Sequence, residues 1–421
     1  MANTYLQRTF STGNRKKWTW SAWVKRSKLG ANIVLFSSWA DSNNNSVIQF
    51  LDDDAFRYKD KAAGGTQADL YTNRKFRDTS SWYHIVVVYD SNNSTSGNRI
   101  RFYINGVEET SFSTDTMPGQ NNDSTVNRNC SHYIGTDDTT GYFFDGSMTH
   151  VHFCDGYAYS ASDFGETDAT TGEWEAKTSP SVNYGTTGFL ILKDGNTITD
   201  QSSNSNAFTL GGGTLTNLKD NPDNNFATWN PLLKDIPTIS NGNTTATHTA
   251  TSHRSVPSTI GASSGKWYWE AKAVTVNATN NGTSIGIVRT DSDLFKSSVW
   301  NSGDAAGEVV YTGGGELQLE GTGTSSWGST YDDGDIIGVA MDLTNMKLYF
   351  HKNGVYQNSG VPTSGSTGTG AVTIPALNSE FYLPMIGLYG TVWSTNFGNG
   401  FFGTTAITTN SGNGYSGAEG S

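Results

Sequence analysis

Short apolar runs recur through the first 160 residues of this chain, each closed by a turn signal, and that rhythm constrains the fold more than any other feature. In Trp18-Thr-Trp-Ser-Ala-Trp-Val24, Trp18, Trp20 and Ala22 share one side at period two, with Thr19, Ser21 and Trp23 on the other. One face of that strand is expected to be buried. Ile100, Phe102 and Ile104 likewise face one way and Arg99, Arg101 and Tyr103 the other, after which Asn105-Gly106 supplies the positive φ that reverses the chain. With 48 glycines and only 16% charged residues the composition suits strands joined by many turns, and its 12% aromatic content excludes a disordered chain. Helical bundles and coiled coils are excluded with it.

The same unit returns some 250 residues later. Residues 82–90 (WYHIVVVYD), a polar turn, 99–104 (RIRFYI) and Asn105-Gly106 are echoed by 334–342 (GDIIGVAMD), a turn, 346–352 (MKLYFHK) and Asn353-Gly354. Strand, Asp, turn, strand, Asn-Gly occurs twice, which predicts two domains of similar sandwich architecture. Residues 166–221 read differently, as a connector that packs on the first domain through Trp174, Tyr184 and Phe189, since such aromatics would be wasted in a free linker. Residues 406–421 are polar and Gly-rich and are expected to form a flexible tail.

Charge narrows the partners. Residues 1–165 hold 16 Lys and Arg against 17 Asp and Glu, whereas 166–421 hold 11 against 22, so neither part offers the basic field that a phosphate backbone needs. Nucleic acid is an unexpected partner, and with no apolar stretch near ~20 residues so is membrane insertion. The opening MANTYLQRTF lacks the apolar core of a secretion signal, and two cysteines, Cys130 and Cys154, suit a reducing cytoplasm.

Several segments carry resemblances. WTWSAWVKRSK (18–28), WYHIVVVYD (82–90), RIRFYINGV (99–107) and FDGSMTHVHFCDG (144–156) make residues 1–165 resemble the laminin-G-like, concanavalin-A-like jelly roll. GKWYWEAK (265–272), SIGIV (284–288), GDIIGVAMDLTNMKLYFHKNGV (334–355), FYLPMIGLYG (381–390) and STNFGNG (394–400) make residues 222–405 resemble the SPRY domain. The order of the two, with NNFATWNPL (224–232) and VPSTIGASSGKWYWE (256–270) between, is similar to virion-associated proteins of tailed bacteriophages. The resemblance implies a non-enzymatic protein of the virion surface, assembled in the host cytoplasm: a head fibre or capsid decoration, or a tail-fibre component. Its implied partners are other virion proteins of capsid or tail and a host cell-surface glycan or protein, with a homo-oligomer, a trimer, as the expected state. With no adaptor segment before the first strand and no repeat shaft, the head is favoured over a complete tail fibre. The near-neutral first part would hold the particle and the acidic second part would point outward.

The alternative is a glycan-degrading depolymerase. Hydrolysis needs two carboxyls ~5–9.5 Å apart, whereas Glu316 and Glu320, on one face of the run ELQLE, would stand ~13 Å apart at ~3.3 Å per residue. No catalytic residue is therefore assigned. Asp52-Asp53-Asp54 and Asp332-Asp333-Gly334-Asp335 read as solvated turns rather than calcium loops. His150, His152 and Cys154 alternate on one predicted strand and Cys130 and His132 precede another, but their spacing matches no standard zinc pattern. Two separate thiols are preferred to a Cys130–Cys154 disulfide, Gly211–Gly213 is a turn, and no cofactor is expected. What remains is four aromatics in polar, Gly-rich sequence of the acidic half, Trp300, Tyr311, Trp327 and Tyr331, which become the candidate ligand-binding residues. The reading is thus all-β, with two antiparallel sandwiches: a concanavalin-A-like one over 1–165, a packed connector over 166–221, a SPRY-like one over 222–405 and a tail over 406–421.

Overall fold

The computed structural model describes residues 3–138, 140–195, 197–232, 237–277, 282–292, 306–324 and 326–407. The chain divides into two compact units, Met1–Asn217 with Asn221–Asn225 and Leu218–Asp220 with Phe226–Ser421. Both are antiparallel β-sandwiches.

In the first unit an eight-stranded sheet runs in the order Phe112–Thr116, Gly65–Lys75, Ala55–Ala62, Asn44–Phe50, Ile33–Asp41, Ser131–Ile134, Tyr5–Thr9, Thr209–Gly212. It packs on a six-stranded sheet ordered Phe189–Ile191, Gly146–Asp155, Lys17–Arg26, Tyr83–Asp90, Ile100–Ile104, Val107–Glu109. Trp18, Trp20, Ala22 and Val24 all point into the core between the sheets, where Tyr58, Phe36 and Phe153 meet them. The opposite side of the same strand is buried too, contrary to the expectation of one buried face. Segment 158–184 lies over it, bringing Tyr159, Phe164, Trp174 and Tyr184 onto Val86, Val88 and Cys154. Residues 166–217 belong to the first unit, and Phe189 joins its core through a strand paired with Gly146–Asp155.

The second unit repeats the plan. One sheet runs Thr238–Ser240, Thr245–His248, Thr391–Asn396, Lys266–Thr275, Ile336–Asp342, Lys347–Lys352, Val355–Tyr356, and Val372–Thr373 also pairs with Lys347–Lys352. The facing sheet runs Arg254–Pro257, Tyr382–Leu388, Ser284–Arg289, Glu308–Thr312, Leu317–Leu319, Thr322–Thr324. Trp229, Trp269, Trp393 and Phe350 fill the space between. The two echoed Asn-Gly turns take the left-handed backbone they were read to need, Asn105-Gly106 at φ 49° and 83° and Asn353-Gly354 at 48° and 84°. Residues 408–421, most of the expected tail, lie outside the described residues.

Candidate functional site

The aromatics chosen from sequence divide three ways. Trp300 lies outside the described residues. Tyr311 and Tyr331 are fully buried, with 0% exposure each, and their hydroxyls are spent internally: Tyr311 donates to the Ser329 carbonyl, and Tyr331 reaches the Thr283 and Tyr311 carbonyls at 3.0 and 3.1 Å. Burial pushes both phenols upward. Trp327 is half-buried and packs edge-on against Tyr311 and Phe350, with centroids 5.5 and 5.8 Å away. These three rings close one end of the core, and a surface ligand does not reach the two tyrosines.

The acidic runs are tied into the fold. Asp54 binds Arg26 and Arg77, each at 3.1 Å, and accepts from the Gly30 amide. Asp53 loses some solvent, yet hydrogen bonds from Lys75 and Tyr71 hold its carboxyl down to about 2. Asp335 pairs with Lys352 at 2.9 Å and Asp333 accepts from the Val276 amide. Glu320 caps the Gly307 amide at 2.9 Å, and the strand Leu317–Leu319 separates it from Glu316.

The histidines and cysteines do not converge. Cys130 and His132 lie on or beside the eight-stranded sheet, His150, His152 and Cys154 on the six-stranded one, and a register shift between Thr149 and His152 breaks the alternation. Among the described residues no three His, Cys, Asp or Glu side chains are grouped to hold a metal ion, and both cysteines are buried free thiols. The histidines of the six-stranded sheet do something else. Trp174 donates its indole N–H to His84 Nδ1 at 3.0 Å, which leaves the imidazole proton on Nε2, 2.9 Å from Ser21 Oγ. His152 Nδ1 meets the Tyr184 hydroxyl at 2.9 Å. Burial lowers all three, His84 to about 3, so they are neutral at pH 7.

A second outward surface lies on the other side of this unit. Leu6, Ile134, Phe36, Ile48, Tyr58 and Leu70 form one row across the eight-stranded sheet and face the core. The neighbouring residues must therefore face outward. One outward row reads Gln7, Tyr133, Ser37, Val47, Lys59, Asp69, and the next Thr9, Ser131, Trp39, Asn45, Lys61, Thr66. Tyr133 is only 7% exposed because Tyr5 stands edge-on against it at 6.1 Å, and Phe143 leans on Tyr5 at 6.0 Å. Trp39, Tyr5 and Phe143 are half-exposed, and Tyr142 beside them is 54% exposed. Tyr5, Tyr133 and Phe143 thus form one ring cluster on this polar face, Trp39 stands apart from them in the Thr9–Ser131 row, and between them Ser37 is 1% exposed beneath the Thr136 and Asp137 carbonyls. Arg57 and Asp69 form a two-pronged ion pair further across the same sheet.

Residues 2–163 match the family model of the concanavalin A-like lectin/glucanases superfamily, and residues 266–391 match that of the SPRY domain. The chain joins a concanavalin A-like domain to a SPRY domain. No curated protein matches it. Among solved structures, the SPRY domain of human HERC1 is 20% identical, covering 36% of this chain and 87% of that one at a TM-score of 0.29. A heptameric SAP-like pentraxin from Limulus polyphemus is 13% identical, covering 45% and 89% at 0.30. Domain 4 of AbnA, a GH43 extracellular arabinanase from Geobacillus stearothermophilus solved in complex with arabinotriose, is 19% identical, covering 36% and 67% at 0.27.

The outward face of the concanavalin A-like domain is the part that sequence reasoning missed. Tyr5 and Tyr133 lie 128 positions apart, and only the pairing of Tyr5–Thr9 with Ser131–Ile134 makes them neighbours. The signal within each strand was present, since Tyr133 alternates with His132 and Ile134, but nothing local says which strands adjoin.

Proposed function

We propose that the chain is a non-enzymatic carbohydrate-binding protein whose ligand lies on the outward face of the eight-stranded sheet in the concanavalin A-like domain. The observation that carries this reading is the half-exposed rings of that face, Tyr5 in contact with Phe143 near Gln7, and Trp39 directly beside Asn45 in the neighbouring row. Rings of this kind stack on the apolar faces of sugars, and neighbouring amides fix the hydroxyls. The lectin-like family of this domain supports it. Binding of the purified chain to a glycan array, followed by calorimetry on the best ligand, tests the proposal. Trp39→Ala should weaken that ligand by about tenfold, the loss of one buried anchor. No reducing ends should be released. An unchanged affinity would return Trp39 to a purely structural role, and sugar release abolished by a Glu or Asp substitution would favour the depolymerase.

On the resemblance to tailed-phage virion proteins we assign the protein to the particle surface, assembled in the host cytoplasm. There it would contact other virion proteins and a host-surface glycan or protein as a head fibre, decoration or tail-fibre component. A homotrimer is the state proposed with it. Its position in a particle map and its mass by light scattering test both points, and a monomer present in single copies would overturn the trimer. The ligand-facing role passes from the SPRY domain to the concanavalin A-like domain, because the SPRY aromatics Tyr311 and Tyr331 are core residues.

A further inference from the structure

The same sheet face carries charge in an arrangement that selects among glycans. Along the row that contains Trp39, the next strands bring Asn45 and then Lys61, whose backbone lies two strand spacings, about 10 Å, from that of Trp39. Along the neighbouring row, Tyr133 is followed by Ser37, Val47 and Lys59. Lys59 stands directly opposite Asp69, which would ordinarily neutralise it. Asp69 is instead engaged by Arg57, whose Nε donates at 2.7 Å while Nη2 closes the second prong. Arg57 shares the charge of that carboxylate, and among the described residues Lys59 stands in ion-pair contact with no carboxylate. Lys61 gives one hydrogen bond, to the Ser42 carbonyl at 2.8 Å, and keeps two donors. A chain with net charge −12 therefore holds two ammonium groups outside any ion pair, among the described residues, on the same sheet face as the half-exposed Trp39.

We infer that the ligand of this face is an acidic, uronate-bearing polysaccharide, with a sugar ring on Trp39 and the carboxylates of units further along the chain on Lys61 and Lys59. The inference rests on the carbohydrate reading above and deepens it. Neutral glycans would leave both ammonium groups unpaired, while a carboxylate every sugar or two supplies the missing counter-ions at the right order of spacing. Nucleic acid also offers anions, but among the described residues the two rows carry just these two unpaired ammonium groups beside hydrogen-bonding side chains suited to hydroxyls, so the acidic glycan is favoured.

The test uses the full chain and three acidic polymers, polygalacturonate, alginate and hyaluronate, each beside its carboxyl-reduced form. At least one acidic polymer should bind about tenfold or more tighter than its reduced partner, and the preference should shrink as salt rises from 50 to 500 mM by screening. Lys59→Gln with Lys61→Gln should abolish that preference and leave binding of the reduced polymer within twofold. Both lysines are on the surface, and an unchanged melting temperature will show that the double variant is folded. Equal affinity for acidic and reduced polymers, or an acid preference untouched by the double variant, overturns the inference while the carbohydrate reading stands. Binding to no acidic polymer overturns it as well, and a glycan array blank for neutral and acidic sugars alike sinks the carbohydrate reading itself. Competition by single-stranded DNA at matched charge concentration would replace the acidic glycan with nucleic acid.

Discussion

Gly338 shows how one missing methyl group can organise a polar chain across three strands. In the SPRY domain Glu270, Gly338 and His351 stand in register on adjacent strands, and a Cβ at Gly338 would lie 2.0 Å from His351 Nε2. Without it, the imidazole lies across the middle strand and reaches Tyr268 at 2.8 Å. The Gly354 amide donates to His351 Nδ1, so Nε2–H donates to the Tyr268 oxygen and Tyr268 donates to Glu270, which also accepts from Asn396 at 3.1 Å. Every proton in the chain has one direction. Gly338→Ala should displace the ring, break the Tyr268 bond and cost about 1–3 kcal/mol as overpacking. In a double-mutant cycle with His351→Ala the two losses, read from chemical denaturation, should fall well short of additive. Full additivity would mean the methyl group does its damage elsewhere. None of this was legible in GDIIGVAMD, because the sequence shows a glycine and a histidine 13 positions apart and the contact exists only once their strands pair.

At the scale of elements, the segment 158–184 is held to its sheet by neutral histidines, and that makes its attachment depend on pH. Protonated His84 would turn an N–H toward the Trp174 indole N–H, replacing a hydrogen bond with two opposed donors. His84 and His152 are lowered chiefly by burial and then by neighbouring histidines, His150 by burial and then by Lys193, with Asp223 and Asp194 opposing. For a histidine whose folded pKa lies below its unfolded value of ~6.5, the unfolded chain takes up more protons between the two. Stability is therefore fully present above about pH 6.5 and is lost as pH falls toward 3, by up to ~1.4 kcal/mol per pH unit for each fully coupled histidine. The melting temperature should be clearly lower at pH 5 than at pH 7.5, and His84→Gln, which can accept from Trp174 and donate to Ser21, should flatten that slope. A slope unchanged by His84→Gln would assign the effect to other groups. The period-two pattern of Trp18, Trp20 and Ala22 made the core face readable, yet the burial of Thr19, Ser21 and Trp23 could not be read from it. A polar alternate face looks solvated until a later segment of the chain is laid over it.

Across the whole molecule, each unit buries its own core, with Trp20 in one and Trp393 in the other, both 0% exposed. Removing either indole should cost about 3–5 kcal/mol. Calorimetry should then show Trp20→Ala lowering one transition by roughly 10 °C and Trp393→Ala lowering a different one. A single transition moved by both would show that the two cores melt as one cooperative block. The all-β class and the two sandwiches were legible because strand period, turn chemistry and glycine content are local properties. The outward face was not, since Tyr5, Trp39, Lys59, Lys61 and Tyr133 come from strands at 5–9, 33–41, 55–62 and 131–134, and the register that aligns them is a property of the finished sheet. The choice of Tyr311 and Tyr331 failed for a related reason: polar, Gly-rich flanks look exposed in sequence, but here they are the turns that let two tyrosines fold inward and hydrogen-bond the backbone around them. The two buried thiols, finally, furnish the protein with internal clocks. Burial pushes Cys130 up to about 11 and Cys154 further still, so neither reacts as a thiolate while its cover is closed. Cys154 lies beneath Ala161 and Phe164 of the overlying segment, whereas Cys130 lies beside the start of Ser131–Ile134 in the opposite sheet. The rate at which an alkylating reagent marks each one reports how often that side of the sandwich breathes, with no label added and no residue changed.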